Sequence, residues 1–226
     1  MLEDFISLIY PQICMSCGKS LYKKEICICT YCKYHLPKTH FHLEEDNPVS
    51  RLFWGKVKIH SAAAYYYFNK GSKVQRLIHQ LKYKGQKAIG TAIGEFYGNE
   101  LKASSLYNSI DTIIPVPLYP GKKRKRGYNQ SEFFAMGLSK GMEIKHNANI
   151  LYRSFDSKTQ TNRSRFNRWE NVRSIFKLSK TDELTGKHIL LVDDVITTGS
   201  TLEACADVLL KIPKTKVSVA TIACTS

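Results

Sequence analysis

Leu190-Leu191-Val192-Asp193-Asp194-Val195-Ile196-Thr197-Thr198-Gly199-Ser200-Thr201 is the stretch that decides how the rest of the chain is read. Branched apolar residues run into two adjacent carboxylates, and a loop of small hydroxyl residues then opens the helical pattern Leu202, Cys205, Val208, Leu209. A short, continuous apolar run fits a strand buried inside a parallel sheet, and the carboxyl edge of such a sheet is where α/β folds bind ligands. Thr197, Thr198, Gly199, Ser200 and Thr201 can offer backbone N–H groups and hydroxyls to one phosphate. Gly199 allows close approach, and the following helix adds its partial positive charge. Asp193 and Asp194 cannot bind phosphate themselves. As acceptors they suit the adjacent hydroxyls of a ribose, and one can help to hold a magnesium-associated water. A plain strand, turn and capped helix would account for one Thr or Ser, but would leave two carboxylates at a buried strand end as an uncompensated cost.

Working outward, Thr112-Ile113-Ile114-Pro115-Val116 is a second buried strand, and Val217 to Ala223 a third. Val74, Leu77, Ile78 and Leu81 follow helical spacing, as do Ile89, Ile93, Phe96, Tyr97 and Leu101, so two helices are expected before the first buried strand. A helix is expected from Ser131 to Gly141, a strand near Ile150 to Arg153, and a strand or hairpin edge within Val57 to Phe68. Strands alternating with helices give an α/β fold with a mainly parallel central sheet.

The Leu190–Thr201 segment resembles the phosphoribosyl pyrophosphate signature of type I phosphoribosyltransferases at each defining position. That resemblance implies a type I phosphoribosyltransferase-like fold, with Asp193 and Asp194 on the ribose and Thr197 to Thr201 on the 5′-phosphate. Five consecutive cations, Lys122 to Arg126, follow the Thr112 strand. Such a run can neutralise a pyrophosphate leaving group, grip nucleic-acid phosphate, or remain a solvated face. Arg124-x-Arg126-Gly127-Tyr128-Asn129-Gln130 resembles the Arg-Gly-Phe-Asn-Gln block of ComF proteins, following the strand that in phosphoribosyltransferases carries the pyrophosphate loop. The contacts implied are Pro115, Val116, Pro117, Lys122, Arg124, Arg126, Asn129 and Gln130. Thr159-Gln160-Thr161 through Arg165, Arg168, Asn171 and Arg173 to Phe176 resembles the family's Gln-Thr, Arg and Asn pattern. By position it corresponds to the loop that closes over the ligand in related enzymes, and the resemblance adds Gln160 and Arg165 to the implied contacts. The lid is the favoured reading, and Arg165, Phe166, Arg168 and Trp169 also suit a stacking surface for nucleic acid. Leu77 to Gly85 is a third family-like piece, with His79 read as a helix-surface or packed residue.

Seven cysteines, five of them between Cys14 and Cys32, fit metal binding better than disulfides. Cys14-x-x-Cys17 and Cys29-x-x-Cys32, with 11 residues between them, can place four thiolates round one zinc ion. A pair of redox dithiols would need a thioredoxin-like context that is absent. Cys27 complicates the count; Cys205 and Cys224 read as core residues. Residues 1–40 are accordingly assigned to a small zinc-binding module, 41–56 to a linker anchored by Phe53 and Trp54, and 57–226 to the phosphoribosyltransferase-like domain. The acidic start Met1–Asp4, the short amphipathic spacing of Phe5, Leu8 and Ile9, and the lack of a long apolar run argue against secretion or stable membrane insertion, so a cytoplasmic location is expected.

A formal charge of +15 on 226 residues favours polyanionic partners. The ComF resemblance spans nearly the whole chain. It implies structural zinc, magnesium with phosphoribosyl pyrophosphate or a related phosphosugar or nucleotide, and a role with competence proteins in natural competence and the handling of incoming single-stranded DNA. Two functions remain open at this stage. One is a phosphoribosyltransferase whose acceptor and general base no residue pattern specifies. The other is a non-catalytic nucleic-acid-binding module that keeps the pocket as a sensor or phosphate grip. A glutamine amidotransferase is disfavoured, because Cys14 is internal, and a transcriptional regulator lacks a DNA-reading helix pair.

Overall fold

The structure, a computed structural model, describes residues 11–154, 175–179 and 181–225. Four strands form the central sheet in the order β1-β6-β5-β2, every pair parallel: β1 is Ala62–Phe68, β2 Thr112–Pro115, β5 His188–Ile196 and β6 Lys216–Thr225. β5 and β6 are the interior strands. The apolar runs Ile189–Val192 and Val217–Cys224 are buried almost throughout, as a sheet covered on both faces requires.

The strand over Leu151–Arg153 (β3) does form, but it pairs antiparallel with Phe176–Leu178 (β4) in a separate small sheet. The first buried strand is not β2, as the sequence suggested, but β1, where Ala62 to Tyr66 are all buried. Its edge position is masked in the sequence because Pro37–Thr39 covers it. The Tyr67 amide donates to the Pro37 carbonyl at 3.0 Å and the Thr39 amide to the Tyr65 carbonyl at 3.0 Å, which removes an exposed sheet edge.

Residues 41–56 carry structure of their own. Asn47 caps the helix Pro48–Arg51, accepting from the Val49 and Ser50 amides, and its Nδ2 donates to the Ala62 carbonyl at 2.9 Å. Of the two aromatic anchors expected here only Phe53 is buried, 1% exposed, joined by Phe41 and Val49, whereas Trp54 is 61% exposed.

The helices Lys87–Lys102 and Gln130–Met142 cross through facing glycines, Gly90, Gly94 and Gly98 against Gly137 and Gly141. A Cβ on Gly141 would lie 2.6 Å from the Glu95 carbonyl oxygen and 2.8 Å from the Asn99 amide nitrogen. The two backbones therefore touch directly. This crossing matters for the site because the second helix begins at Gln130 and Ser131.

At the opposite end of β5, His188 is buried between hydroxyls, with Ser218 Oγ 2.8 Å from its Nε2 and Ser109 Oγ 2.9 Å from its Nδ1. Burial, then the neighbouring His60 and Lys216, push its pKa down to about 4, against the opposing pull of Asp111. A depressed histidine favours the folded state fully above about pH 6.5. It withdraws that stability as pH falls through the window to 4, roughly 3 kcal/mol in all. His188→Gln should flatten the fall in denaturation midpoint between pH 6.5 and 4 relative to wild type; parallel curves for the two proteins would refute this role.

Candidate functional site

β2 ends at Pro115, paired with Val192, while β5 continues. Asp193 and Asp194 therefore emerge just past the last β2 pair, at the carboxyl edge of the sheet, and alternate to opposite sides of the strand. Both line a cavity of about 250 Å³ whose other walls include Lys82, Lys122, Arg126, Ser131 and Thr201. Ser131 Oγ donates to Asp193 Oδ1 at 2.7 Å, and the Asp194 amide donates to the same oxygen at 2.8 Å. Asp194 Oδ1 accepts from the Val195 amide at 2.6 Å and lies 3.1 Å from Lys82 Nζ. Its Oδ2 is buried without a hydrogen-bond partner among the described residues. A buried carboxylate oxygen left unpaired is costly, on the order of 1–3 kcal/mol or more, so the site is built to receive a donor at that point. Burial first, then the charge of Asp194, raise the Asp193 pKa to about 7, and the Ser131 hydroxyl pulls against this.

The hydroxyl loop follows directly. Gly199 takes φ +76° as the residue before the helix Ser200–Leu209, a conformation that glycine adopts without strain. Thr197, Thr198, Ser200 and Thr201 are exposed, and Thr198 Oγ1 lies 3.0 Å from Ser200 Oγ. Free backbone amides at this helix start have no side-chain cap.

The cation run forms a helix, Pro120–Arg126. Proline at its first turn and Gly127 at φ +82° after its last residue delimit it, and the cations of the last turn suit the negative end of the helix dipole. Helical spacing splits the run. Lys122 and Arg126, one turn apart, face the carboxylate cavity, while Arg124 lies on another side of the helix, outside it. Arg126 Nη1 donates to Gln130 Oε1. Asn129 caps the Gln130 helix and donates Nδ2 to the Val116 carbonyl at 2.9 Å, fixing this turn to β2. Val116 and Pro117 line the cavity, whereas Pro115 is buried within β2 and does not. Gln160 and Arg165 lie outside the described residues. Sequence reading missed Lys82, Ser131 and Arg153, all of which line the cavity. Lys82 could have been found as the basic end of the Leu77–Gly85 piece; a single serine and a single arginine carried no pattern.

At the amino-terminal end, the sulfur atoms of Cys14, Cys17, Cys29 and Cys32 all lie within 4.8 Å of one another. Cys17 Sγ and Cys29 Sγ are 3.7 Å apart, the edge of a tetrahedron with metal–sulfur distances of about 2.3 Å. The Cys29 amide donates to Cys14 Sγ at 3.3 Å and the Cys32 amide to Cys29 Sγ at 3.4 Å, bonds that favour thiolates. The donor set fits a tetrahedral ion. Cys27 is outside the cluster: it is buried, and burial pushes its thiol up to about 11. Arg76 Nη1 donates to the Ser16 carbonyl at 3.2 Å, tying this module to the helix Lys73–Tyr83.

Residues 129–225 match the phosphoribosyl transferase domain. With the parallel sheet and the carboxylate cavity, this makes the chain a phosphoribosyltransferase-domain protein of the type I fold. Its relatives bear DNA-utilization and competence names, and four clustered cysteines accompany the domain in this chain. DNA utilization protein YhgH of Escherichia coli O157:H7 is 29% identical over 215 residues, 91% of this chain and 87% of the relative. Competence protein F of Haemophilus influenzae is 37% identical over 140 residues, 60% of this chain and 61% of the relative. Among solved structures, glutamine phosphoribosylpyrophosphate amidotransferase from B. subtilis is 20% identical, with a TM-score of 0.44 over 64% of this chain and 30% of that one. The adenine phosphoribosyltransferase of Saccharomyces cerevisiae is 12% identical, with a TM-score of 0.39 over 62% of this chain and 69% of that one. Among the described residues no helix is long and apolar enough to cross a membrane.

Proposed function

We propose that the cavity binds phosphoribosyl pyrophosphate or a close phosphosugar relative, in a cytoplasmic protein that serves natural competence and the handling of incoming single-stranded DNA. The observation that carries this reading is the buried, unpartnered Asp194 Oδ2 beside a locked Asp193, both facing the same cavity as Lys122 and Arg126. Asp193 and Asp194 accept from the two ribose hydroxyls. The Thr197–Thr201 loop takes the 5′-phosphate on its amides and hydroxyls. Lys122 and Arg126 face the diphosphate, with Gln160 and Arg165 completing its contacts by family resemblance. Magnesium, held through a water on one carboxylate and by the ligand's own oxygens, would share the neutralisation of the leaving group. If transfer occurs, an acceptor attacks C1 as pyrophosphate departs, and charge growing on the leaving oxygen is met by these cations. Zinc in the four-cysteine site is structural.

A second reading is favoured by the exposure of most of the cation helix and by the overall charge of +15. There the run is a phosphate grip for single-stranded DNA, and the pocket a sensor. Calorimetric titration of the Lys122→Gln, Arg126→Gln variant discriminates. Phosphoribosyl pyrophosphate affinity should fall roughly 10- to 100-fold with single-stranded DNA affinity little changed. Loss of DNA binding, steep in salt, with intact phosphosugar binding would instead support the module.

A further inference from the structure

Only one face of the Pro120–Arg126 helix serves the carboxylate cavity. Lys123 and Arg124 project to the other side, into a second cavity of about 650 Å³ walled also by Asn149, Tyr152 and Arg153. Its charge is three cations against the single carboxylate of Glu132. Arg153 is common to both cavities. Its guanidinium lies 5.2 Å from the Tyr119 ring centre and 5.6 Å from that of Phe176. Its Nε is buried without a hydrogen-bond partner among the described residues. Two rings orient a guanidinium through its faces and leave its edge donors for something else. A half-buried cation with one buried, unpaired donor, flanked by two further cations and an exposed aromatic ring, is complementary to a compact dianion attached to a flat group.

We propose that this second cavity is a subsite for a phosphomonoester, and that Arg153 links it to the carboxylate cavity. Lys123 and Arg124 neutralise the dianion from the helix, and Arg153 closes its inner end with a directed pair of N–H donors. Tyr152 offers the stacking surface for the group that carries the phosphate. Taken with the donor reading above, on which this part rests, the molecule that meets the phosphosugar is itself phosphorylated: a free mononucleotide or the terminal phosphate of a nucleic-acid strand.

The test is calorimetric titration of the full chain with adenosine 5′-monophosphate, and with a thymidine hexamer bearing or lacking a 5′-phosphate, first without any donor. The subsite predicts that phosphorylated probes bind and that removing the phosphate from the hexamer abolishes most of its affinity. Lys123→Glu should weaken the phosphorylated probes roughly tenfold or more while leaving phosphoribosyl pyrophosphate binding intact. Arg153→Lys, which keeps charge but loses the planar fork, should weaken both ligands. Binding of the monophosphate alone assigns the site to free nucleotides; equal binding of the phosphorylated hexamer assigns it to strand ends. The proposal is overturned if Lys123→Glu leaves probe affinity unchanged, if the hexamer binds regardless of its phosphate, or if the monophosphate is displaced one for one by phosphoribosyl pyrophosphate. Failure of phosphoribosyl pyrophosphate itself to bind defeats the donor reading, and the donor-free titrations still decide the subsite.

Discussion

Gly137→Ala should destabilise the protein by about 3 kcal/mol or more, at or beyond the upper end of overpacking costs, because the three nearest neighbours of the new methyl are all backbone. A Cβ there would collide with the Thr91 carbonyl oxygen and lie 2.8 Å from the Glu95 amide nitrogen and 2.9 Å from Gly94 Cα. No rotamer change relieves such contacts, so the two helices must move apart. For a chain of this size the expected fall in Tm is roughly 6–12 °C. The consequence extends to the site. Ser131 sits in the first turn of the displaced helix and holds Asp193 Oδ1 at 2.7 Å. Thermal denaturation checks the first claim; a Tm within about 2 °C of wild type, converted on the same scale, would show that the crossing is not tight.

The second large effect is expected at the cysteines. Cys32→Ser should release the bound metal and open the amino-terminal module, since apparent binding free energies of structural zinc sites run on the order of 10 kcal/mol or more and act as folding energy. Cys27→Ser should keep the metal, because Cys27 stands outside the four-sulfur cluster. Metal content by emission spectrometry, with hydrogen exchange over residues 11–36, reads both. One equivalent of zinc retained in Cys32→Ser, or lost in Cys27→Ser, would contradict the assignment.

Much of this was legible because single physical rules governed it. Ile189–Val192 and Val217–Ala223 are buried on both faces, so composition alone identified them. Two C-x-x-C pairs are demanded by tetrahedral geometry, and the tandem aspartates stood out because burial makes them costly. β1 was not legible as the first sheet strand, because its edge is covered by Pro37–Thr39, a contact between segments that no local pattern records. The cation run was not legible as a helix because charge dominates its reading, yet helical spacing is what sends Lys122 and Arg126 to one cavity and Lys123 and Arg124 to another. Ser131 and Arg153 enter the site through tertiary placement alone, from a helix start and a short strand distant in sequence from Asp193.

The most direct test of the central claim is calorimetric titration of phosphoribosyl pyrophosphate with magnesium into wild type and into Asp193→Asn, Asp194→Asn. Two charge-assisted acceptors are removed, so affinity should fall roughly 100-fold or more. The variant should nonetheless fold. Asp193 has its folded pKa raised from 3.8 to about 7, so its ionisation opposes folding progressively across that window and fully above it, and removing the charge should hold or raise Tm at pH 8. Wild-type binding that disappears in a well-folded double variant is the predicted result; no binding by wild type, or equal binding by both, would contradict the account.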